Sequence, residues 1–355
     1  MTLTLAQQIV SIAQQQFGFT GVAIIPAEPT ITFSAYQHWI EHDYQGSMAW
    51  MHTQGRDYKR ADVRHILPSA KTIITLTYSY YTQDLPPAIL NDPARGIFAR
   101  YAWGRDYHKV LEKKLQGLIT AITTTVGHAI VAKAYVDTGP VLERALAQRA
   151  GLGFIGKNSL LINSAIGSYL FLAEIMMDEP CELWQPRSLK DGCRRCTRCL
   201  DSCPTKAIVA PYTIDARKCI SYLTIEHHGA IPEAIRPLMK NRIYGCDICQ
   251  EVCPWNSTSG SKRPNVDWPE SLRNQQAPYL VELAQLTEAT FQQRFAGTPI
   301  RRVKRSGLLR NVAVALGNWG SVEAAAALTV LAHDADALVR EHAIWGLKNC
   351  QVHSS

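Results

Sequence analysis

Apolar residues recur at Leu5, Ile9, Ile12, Ala13 and Phe17, the three-to-four spacing of one helix face, and predict an amphipathic surface helix. The pattern then shifts to runs dense in branched and aromatic residues. TGVAIIPA, KTIITLTYSYY, HAIVAKAYVD and GSYLFLAEIMMD read as strands, and YHKVLEKKLQGLITAITTTVG between them reads as a long helix. Up to about residue 180 the chain is therefore expected to be a mixed α and β block large enough to house a reaction. From Cys193 to Trp255 the periodicity gives way to Cys, Arg and Pro with short polar connections, where bound metal must supply the stability that a small apolar core cannot. The segment NSTSGSKRPNVDWPE follows, rich in Ser, Gly and Pro, and predicts an extended excursion between domains. Helical patterns resume after it. GLLRNVAVALGNWG and DALVREHAIWGLKN superpose with Arg310 over Arg340 and Ala313 over Ala343, which predicts helix-pair repeats in the tail. The expected division is 1–180, 181–260 and 261–355, with an α+β fold class overall.

A chain of 355 residues with 46% hydrophobic content can bury a substantial core and divide into two or three domains. The opening stretch lacks the basic region of an export signal, and no apolar run approaches the roughly 18 residues a membrane span needs. The expectation is a soluble cytoplasmic protein without a membrane partner. In that reducing compartment ten cysteines point to metal rather than to disulfides. Net charge is +7, and Arg301, Arg302, Lys304, Arg305 and Arg310 fall close together near the start of the tail. Such a concentration suits phosphate contacts with a nucleic acid, or else an ordinary solvated helix face.

The cysteines carry the most specific signal. DGCRRCTRCLDSCPTKAI places Cys193, Cys196, Cys199 and Cys203 before Pro204, the C-x2-C-x2-C-x3-C-P run of bacterial two-cluster ferredoxins, in which the fourth thiolate serves the other cluster. GCDICQEVCPW supplies Cys246, Cys249 and Cys253 before Pro254, and the solitary Cys219 fills the position this second run lacks. Pseudo-twofold exchange then assigns Cys193, Cys196, Cys199 and Cys253 to one 4Fe–4S cluster and Cys203, Cys219, Cys246 and Cys249 to the other. Zinc also takes paired C-x-x-C elements, but the doubled C-x3-C-P ending is foreign to such sites. Cys181 and Cys350 are left over and read as small buried hydrophobes. Two adjacent clusters form an electron wire, so the large block before them is expected to contain what is reduced.

Within that block GLGFIG matches a dinucleotide fingerprint, but it follows a helical stretch where that site requires a strand. Asp137 follows a predicted strand and precedes Thr138, Gly139 and Pro140. A carboxylate there can face a cleft as a general acid, or cap the helix that follows.

VDTGPVLERALAQRAGLGFIGKN, ARYAWGRDYHKV, CISYLTIEHHGAIPE and the split double-cluster motif together resemble the epoxyqueuosine reductases, and the resemblance covers nearly the whole chain. It implies a nitroreductase-like cobalamin-binding domain, a ferredoxin-like domain with two 4Fe–4S clusters, and HEAT-like helices that hold tRNA. The implied reaction reduces epoxyqueuosine to queuosine at the wobble position of a tRNA anticodon, with Asp137 as proton donor. Because the chain has no D-x-H-x-x-G element, the cobalamin is expected base-off. The resemblance suggests as its contacts Arg60, Tyr101, Arg105, Asp137, Asn158, Ser159, Ser168, Ser221, Asp247 and Ile248, whose amides, hydroxyls and cations suit the corrin fringe. Asp137 is expected to be protonated near neutral pH, because a cleft floored by a corrin removes water from it. Arg301, Arg302, Lys304, Arg305 and Arg310 are the expected tRNA contacts. The implied partners are this tRNA and an electron donor that the sequence does not identify, and the chain is expected to act as a monomer. Reductive dehalogenation and a non-catalytic electron carrier or tRNA scaffold are the competing readings. The first predicts an apolar closed pocket, the second a dispensable Asp137.

Overall fold

Thr4 begins the first helix, α1 (Leu5–Gln15), with a reciprocal cap: its hydroxyl accepts from Gln7 N at 3.3 Å while Gln7 Oε1 accepts from Thr4 N at 3.0 Å. Ile9 and Ala13 on its inner face are fully buried. The computed structural model describes residues 3–53, 55–186, 192–258, 262–265, 268 and 275–353. The four strand-like runs become β1 (Gly21–Pro26), β2 (Thr72–Ser79), β3 (Ala132–Tyr135) and β4 (Leu170–Met177). They form one sheet in the order β1-β2-β4-β3, with every neighbouring pair antiparallel.

Period-two alternation divides the sheet into two buried faces. Val22, Ile24, Ile74, Leu76 and Ile175 pack beneath α1 and the long helix α2 (Tyr107–Val126), whose Leu111, Leu115, Leu118 and Ile122 lie one to two turns apart. Ala23, Ile25, Ile73 and Met176 face the other way, onto Leu146 and Ala147 of the short helix α3 (Glu143–Arg149). Layers on both sides leave β2 buried along its whole length, and each such Ile or Leu contributes about 1.5–3 kcal/mol. Asp106 caps α2 by accepting from His108 N at 3.2 Å, and Gly127 ends it at φ 83°, the left-handed conformation a helix C-cap needs.

GLGFIG leaves α3 and enters a hairpin of Phe154–Ile155 with Leu161–Ile162. A Cβ on Gly151 (φ 81°) would lie 2.2 Å from the Pro186 carbonyl, so this glycine serves a tight packing turn.

The tail contains α4 (Lys304–Trp319), α5 (Val322–Leu331) and α6 (Ala337–His353). The proposed repeat pairs α4 with α6, and the two helices approach so closely that a Cβ on Gly317 would lie 2.7 Å from Gly346 Cα. These helices do not own their core. Leu308, Leu309, Val312 and Ala343 pack with Ile97, Phe98, Ile243 and Tyr244 from the preceding parts of the chain, and Ile97–Phe98 pairs in parallel with Arg242–Tyr244. The expected inter-domain excursion is also corrected where it is described. Asn265 N donates to Tyr81 O at 2.7 Å, and buried Trp268 packs on Tyr78 and Phe171. Residues 259–261, 266, 267, 269 and 270 of that segment lie outside the described residues. Among the described residues no helix is long and apolar enough to cross a membrane.

Candidate active site and cysteine centre

The eight motif cysteines sort into two groups in space. Cys193, Cys196, Cys199 and Cys253 line one cavity of about 180 Å³, so Cys253 crosses over to join the first three as the pseudo-twofold pattern requires. In the second group Cys219 has Cys203 as its thiol neighbour, Cys246 has Cys219, and Cys249 has both Cys246 and Cys219. Cys249 also lies within electrostatic reach of Cys199, which sets the groups side by side. Among the described residues no three His, Cys, Asp or Glu side chains converge on a single-ion site. The hairpin after GLGFIG clamps the first group: Lys157 N donates to Cys193 Sγ at 3.4 Å and its Nζ donates to Arg194 O and Cys196 O at 2.7 and 3.0 Å. Ala207 N donates to Cys203 Sγ at 3.3 Å. Such N–H···S contacts and burial set cluster potentials.

Asp137 leaves β3 at φ 60°, a conformation Asp tolerates better than most residues. Its carboxyl does not cap α3, whose N-cap is Leu142 with no side-chain bond. Oδ2 accepts from Tyr107 Oη at 2.5 Å and lies 3.5 Å from His108 Nε2. Tyr107 is fixed by stacking on Phe171, centroids 4.4 Å apart and 9° from parallel. His108 Nδ1 lies 2.9 Å from Asp106 Oδ1, so both ring nitrogens face carboxylates. Burial opposes charge on His108, but the bond to Asp106 and the Asp137 carboxylate 3.5 Å away raise its pKa to about 9. For Asp137 burial pushes the pKa up, yet His108, Tyr107 and the Arg302 charge hold it below its usual value. The surroundings of Asp137 thus favour its anion beside a protonated His108, while the expected protonated Asp137 concerns the cleft with a corrin in it.

The structure redistributes the other expected residues. Arg60 is buried, its guanidinium 5.4 Å from the Tyr36 ring centroid, and its Nη1 has no hydrogen-bond partner. The neighbouring Arg56 donates to Thr138 O at 2.7 Å, beside Asp137. The Tyr101 ring lies 6.0 Å from Tyr107. Arg105 is exposed at the turn before Asp106, and Ser221 and Ile248 are half-buried next to cluster cysteines.

Four of the suggested corrin contacts also make internal hydrogen bonds. Asn158 is buried with Nδ2 3.5 Å from Cys249 O; Ser159 Oγ donates to Tyr212 O at 2.7 Å; the Ser168 hydroxyl accepts from Gln250 and Asn256; Asp247 accepts from Arg100 N at 2.7 Å and pairs with its guanidinium. These side chains fasten the cysteine module to the sheet.

The basic group in the tail also divides. Arg301 and Lys304 are exposed. Arg302 stands near Asp137 and Tyr107 and lies 3.7 Å from Glu226. Arg305 pairs with Asp334 at 2.5 Å and donates to Leu286 O. Arg310 is 1% exposed and donates to the carbonyls of Leu223, His227 and Gly229; buried and bonded to these internal carbonyls, it is corrected from a nucleic-acid contact to an internal strut.

Tyr107, His108 and Glu143 were not singled out from the sequence. The available signal for the first two is the polar RDYH at the start of a long helix, where side chains point back towards a strand exit.

Residues 192–256 match a family described as a 4Fe-4S double cluster binding domain, and residues 60–138 match one described as Epoxyqueuosine reductase QueG. The chain thus contains a double 4Fe–4S cluster domain. An epoxyqueuosine reductase of Salmonella typhimurium is 45% identical over 86% of this chain and 76% of that relative. That of Pseudomonas aeruginosa is 42% identical over 94% of this chain and 91% of that relative. A crystal structure of an epoxyqueuosine reductase with an epoxyqueuosine-modified tRNA-Tyr stem loop superposes with TM-score 0.85 at 31% identity, covering 98% of this chain and 90% of that one. Another from Bacillus subtilis, described with its catalytic aspartate loop swung out of the active site, superposes with TM-score 0.85 at 30% identity over the same shares. On this identity across nearly the whole chain, the protein belongs to the epoxyqueuosine reductase family.

Proposed function

We propose that the protein reduces epoxyqueuosine to queuosine at the wobble position of a tRNA anticodon, with Asp137 delivering a proton to the departing epoxide oxygen. The balance is two electrons and two protons taken up, the alkene and water released. The observation that carries this reading is the convergence of Tyr107, His108 and Arg302 on Asp137 at the strand exit. Tyr107, its hydroxyl held protonated by burial and the Asp137 charge, orients the carboxyl. His108 stores the proton. Half of the Asp137 side chain is exposed, so a bound base that expels water there raises its proton affinity and draws the proton across from His108. Arg302 offsets the charge of Asp137.

Base-off cobalamin is the proposed second cofactor. The buried, unpartnered Nη1 of Arg60 suits an acceptor on such a group, and Tyr101, Arg105, Asn158, Ser159, Ser168, Ser221, Asp247 and Ile248 are the other proposed contacts. When bound, it supplies a low-potential reductant recharged one electron at a time through the clusters. The two clusters are assigned to Cys193, Cys196, Cys199 and Cys253 and to Cys203, Cys219, Cys246 and Cys249. Residues 1–180, 181–260 and 261–355 are proposed to divide the work into catalysis, electron delivery and tRNA binding, with Arg301 and Lys304 as phosphate contacts in a monomer.

Anaerobic purification, iron and cobalt analysis and an assay on an epoxyqueuosine-containing anticodon stem-loop test this reading. About eight irons per chain, one cobalt and queuosine formation are expected. Clusters present without any conversion would leave only an electron carrier.

A further inference from the structure

Behind the proposed acid lies a second pair of carboxyls that the proposed reaction does not use. Glu174 sits on the central strand β4, directly opposite Tyr135 of β3, and is 0% exposed with neither carboxyl oxygen hydrogen-bonded. A buried carboxyl in mid-sheet is costly unless neutral or paired. Its charged neighbour is Glu143, the first residue of α3. Glu143 in turn faces Asp137, Glu174 and Arg144, and Arg144 is engaged with the Ser159 carbonyl. Glu143 Oε1 accepts from the main-chain N–H of Asp137 at 2.6 Å. That N–H belongs to a residue at φ 60°, a backbone state of an L-residue that persists only where surrounding contacts hold it. Arg56 grips the next peptide through Thr138 O.

We propose that Glu143 is a positioning residue, a latch that holds the Asp137 loop inward by accepting its main-chain N–H, with the buried Glu174 behind it. The latch acts on the backbone and leaves the Asp137 carboxyl to Tyr107 and His108. The inference rests on the proposed role of Asp137, and the loop it concerns matches in kind the catalytic aspartate loop described as swung out in the Bacillus subtilis relative.

The test is hydrogen exchange on the full chain, read together with steady-state kinetics on an epoxyqueuosine stem-loop. In Glu143→Ala the amides of Val136, Asp137, Thr138 and Gly139 should exchange about tenfold faster, the loss expected for one hydrogen bond, while those of β4 keep their protection. The kcat should fall by a similar factor of about ten with KM for the stem-loop unchanged. Glu143→Gln retains a carbonyl acceptor and should restore slow exchange and most of kcat. Because Glu143 is only half-buried at the first position of α3, the Ala variant is not expected to unfold, and the Gln variant provides a second folded reference. Unchanged exchange in Glu143→Ala, or Glu143→Gln behaving as Glu143→Ala does, overturns the latch. Faster exchange with full turnover supports the latch and removes Asp137 from the chemistry instead, which separates the two claims.

Discussion

The groups proposed for the chemistry lie within a few ångströms of Asp137, and each makes a distinct forecast. Asp137→Asn keeps a side chain that can accept from Tyr107 but cannot hand over a proton. Epoxyqueuosine conversion should fall by about a hundredfold to ten-thousandfold, with both cofactors and the stem-loop still bound and the melting temperature little changed. Near-normal conversion would exclude Asp137 as donor. His108 gives a signed pH dependence. Its pKa rises from 6.5 to about 9 on folding, so its protonated form stabilises the fold fully below pH 6.5 and that stability is lost as the pH climbs to about 9. His108→Gln should flatten this part of a melting-temperature profile, and a profile unchanged by the substitution would place the proton elsewhere. Asp137 was legible because a carboxylate at a strand exit stands out in the pattern. The choice between acid and helix cap was not, since it depends on which groups its carboxyl meets, and those come from α2, thirty residues earlier in the chain.

At the scale of elements the tail shows why charge clustering alone misleads. Arg301, Arg302, Lys304, Arg305 and Arg310 are adjacent in sequence, yet the turn at Pro299–Val303 and the entry into α4 send them to solvent, to the active site, to Asp334 and into the core. A signal for Arg310 was available. GLLRNVAVALG is apolar around the whole helix, which marks a buried helix, and every residue of α4 from Leu308 to Gly317 is indeed buried. An arginine in such a helix must bond to the interior. Arg310→Ala should therefore cost on the order of 3 kcal/mol by orphaning three carbonyls, measured by denaturant unfolding. Replacing Arg301 and Lys304 with Ala should leave stability alone and reduce the log–log salt slope of stem-loop binding by about 0.9 for each phosphate that is no longer neutralised, taking duplex nucleic acid as the guide. An unaltered slope would mean that these two charges only face water.

Across the whole molecule the cysteine spacing was the most legible feature, because a cluster's ligands are set by short loops whose reach the sequence states directly. The domain boundaries were less so. Composition separates three stretches, but burial joins them: Ile97, Ile243 and Leu308 belong to one core, and Asn158, Ser168 and Asp247 tie sheet to cysteine module. Hydrophobic periodicity tells which face of an element is buried and not against what. The same interlocking makes the cluster assignment testable in the intact chain. Cys219 stands alone before its helix, with Cys203 and Cys246 as its neighbours, while the cavity of Cys193, Cys196, Cys199 and Cys253 is built without it and buttressed by Lys157 and Trp255. Cys219→Ser should accordingly lower iron from about eight to about four per chain, leaving one cluster detectable by electron paramagnetic resonance after reduction. Conversion should stop, since the electron path is cut at one of its two stations. Loss of both clusters from a chain whose melting temperature is unchanged would refute the division into two groups, because only a shared ligand set could couple them without unfolding the protein.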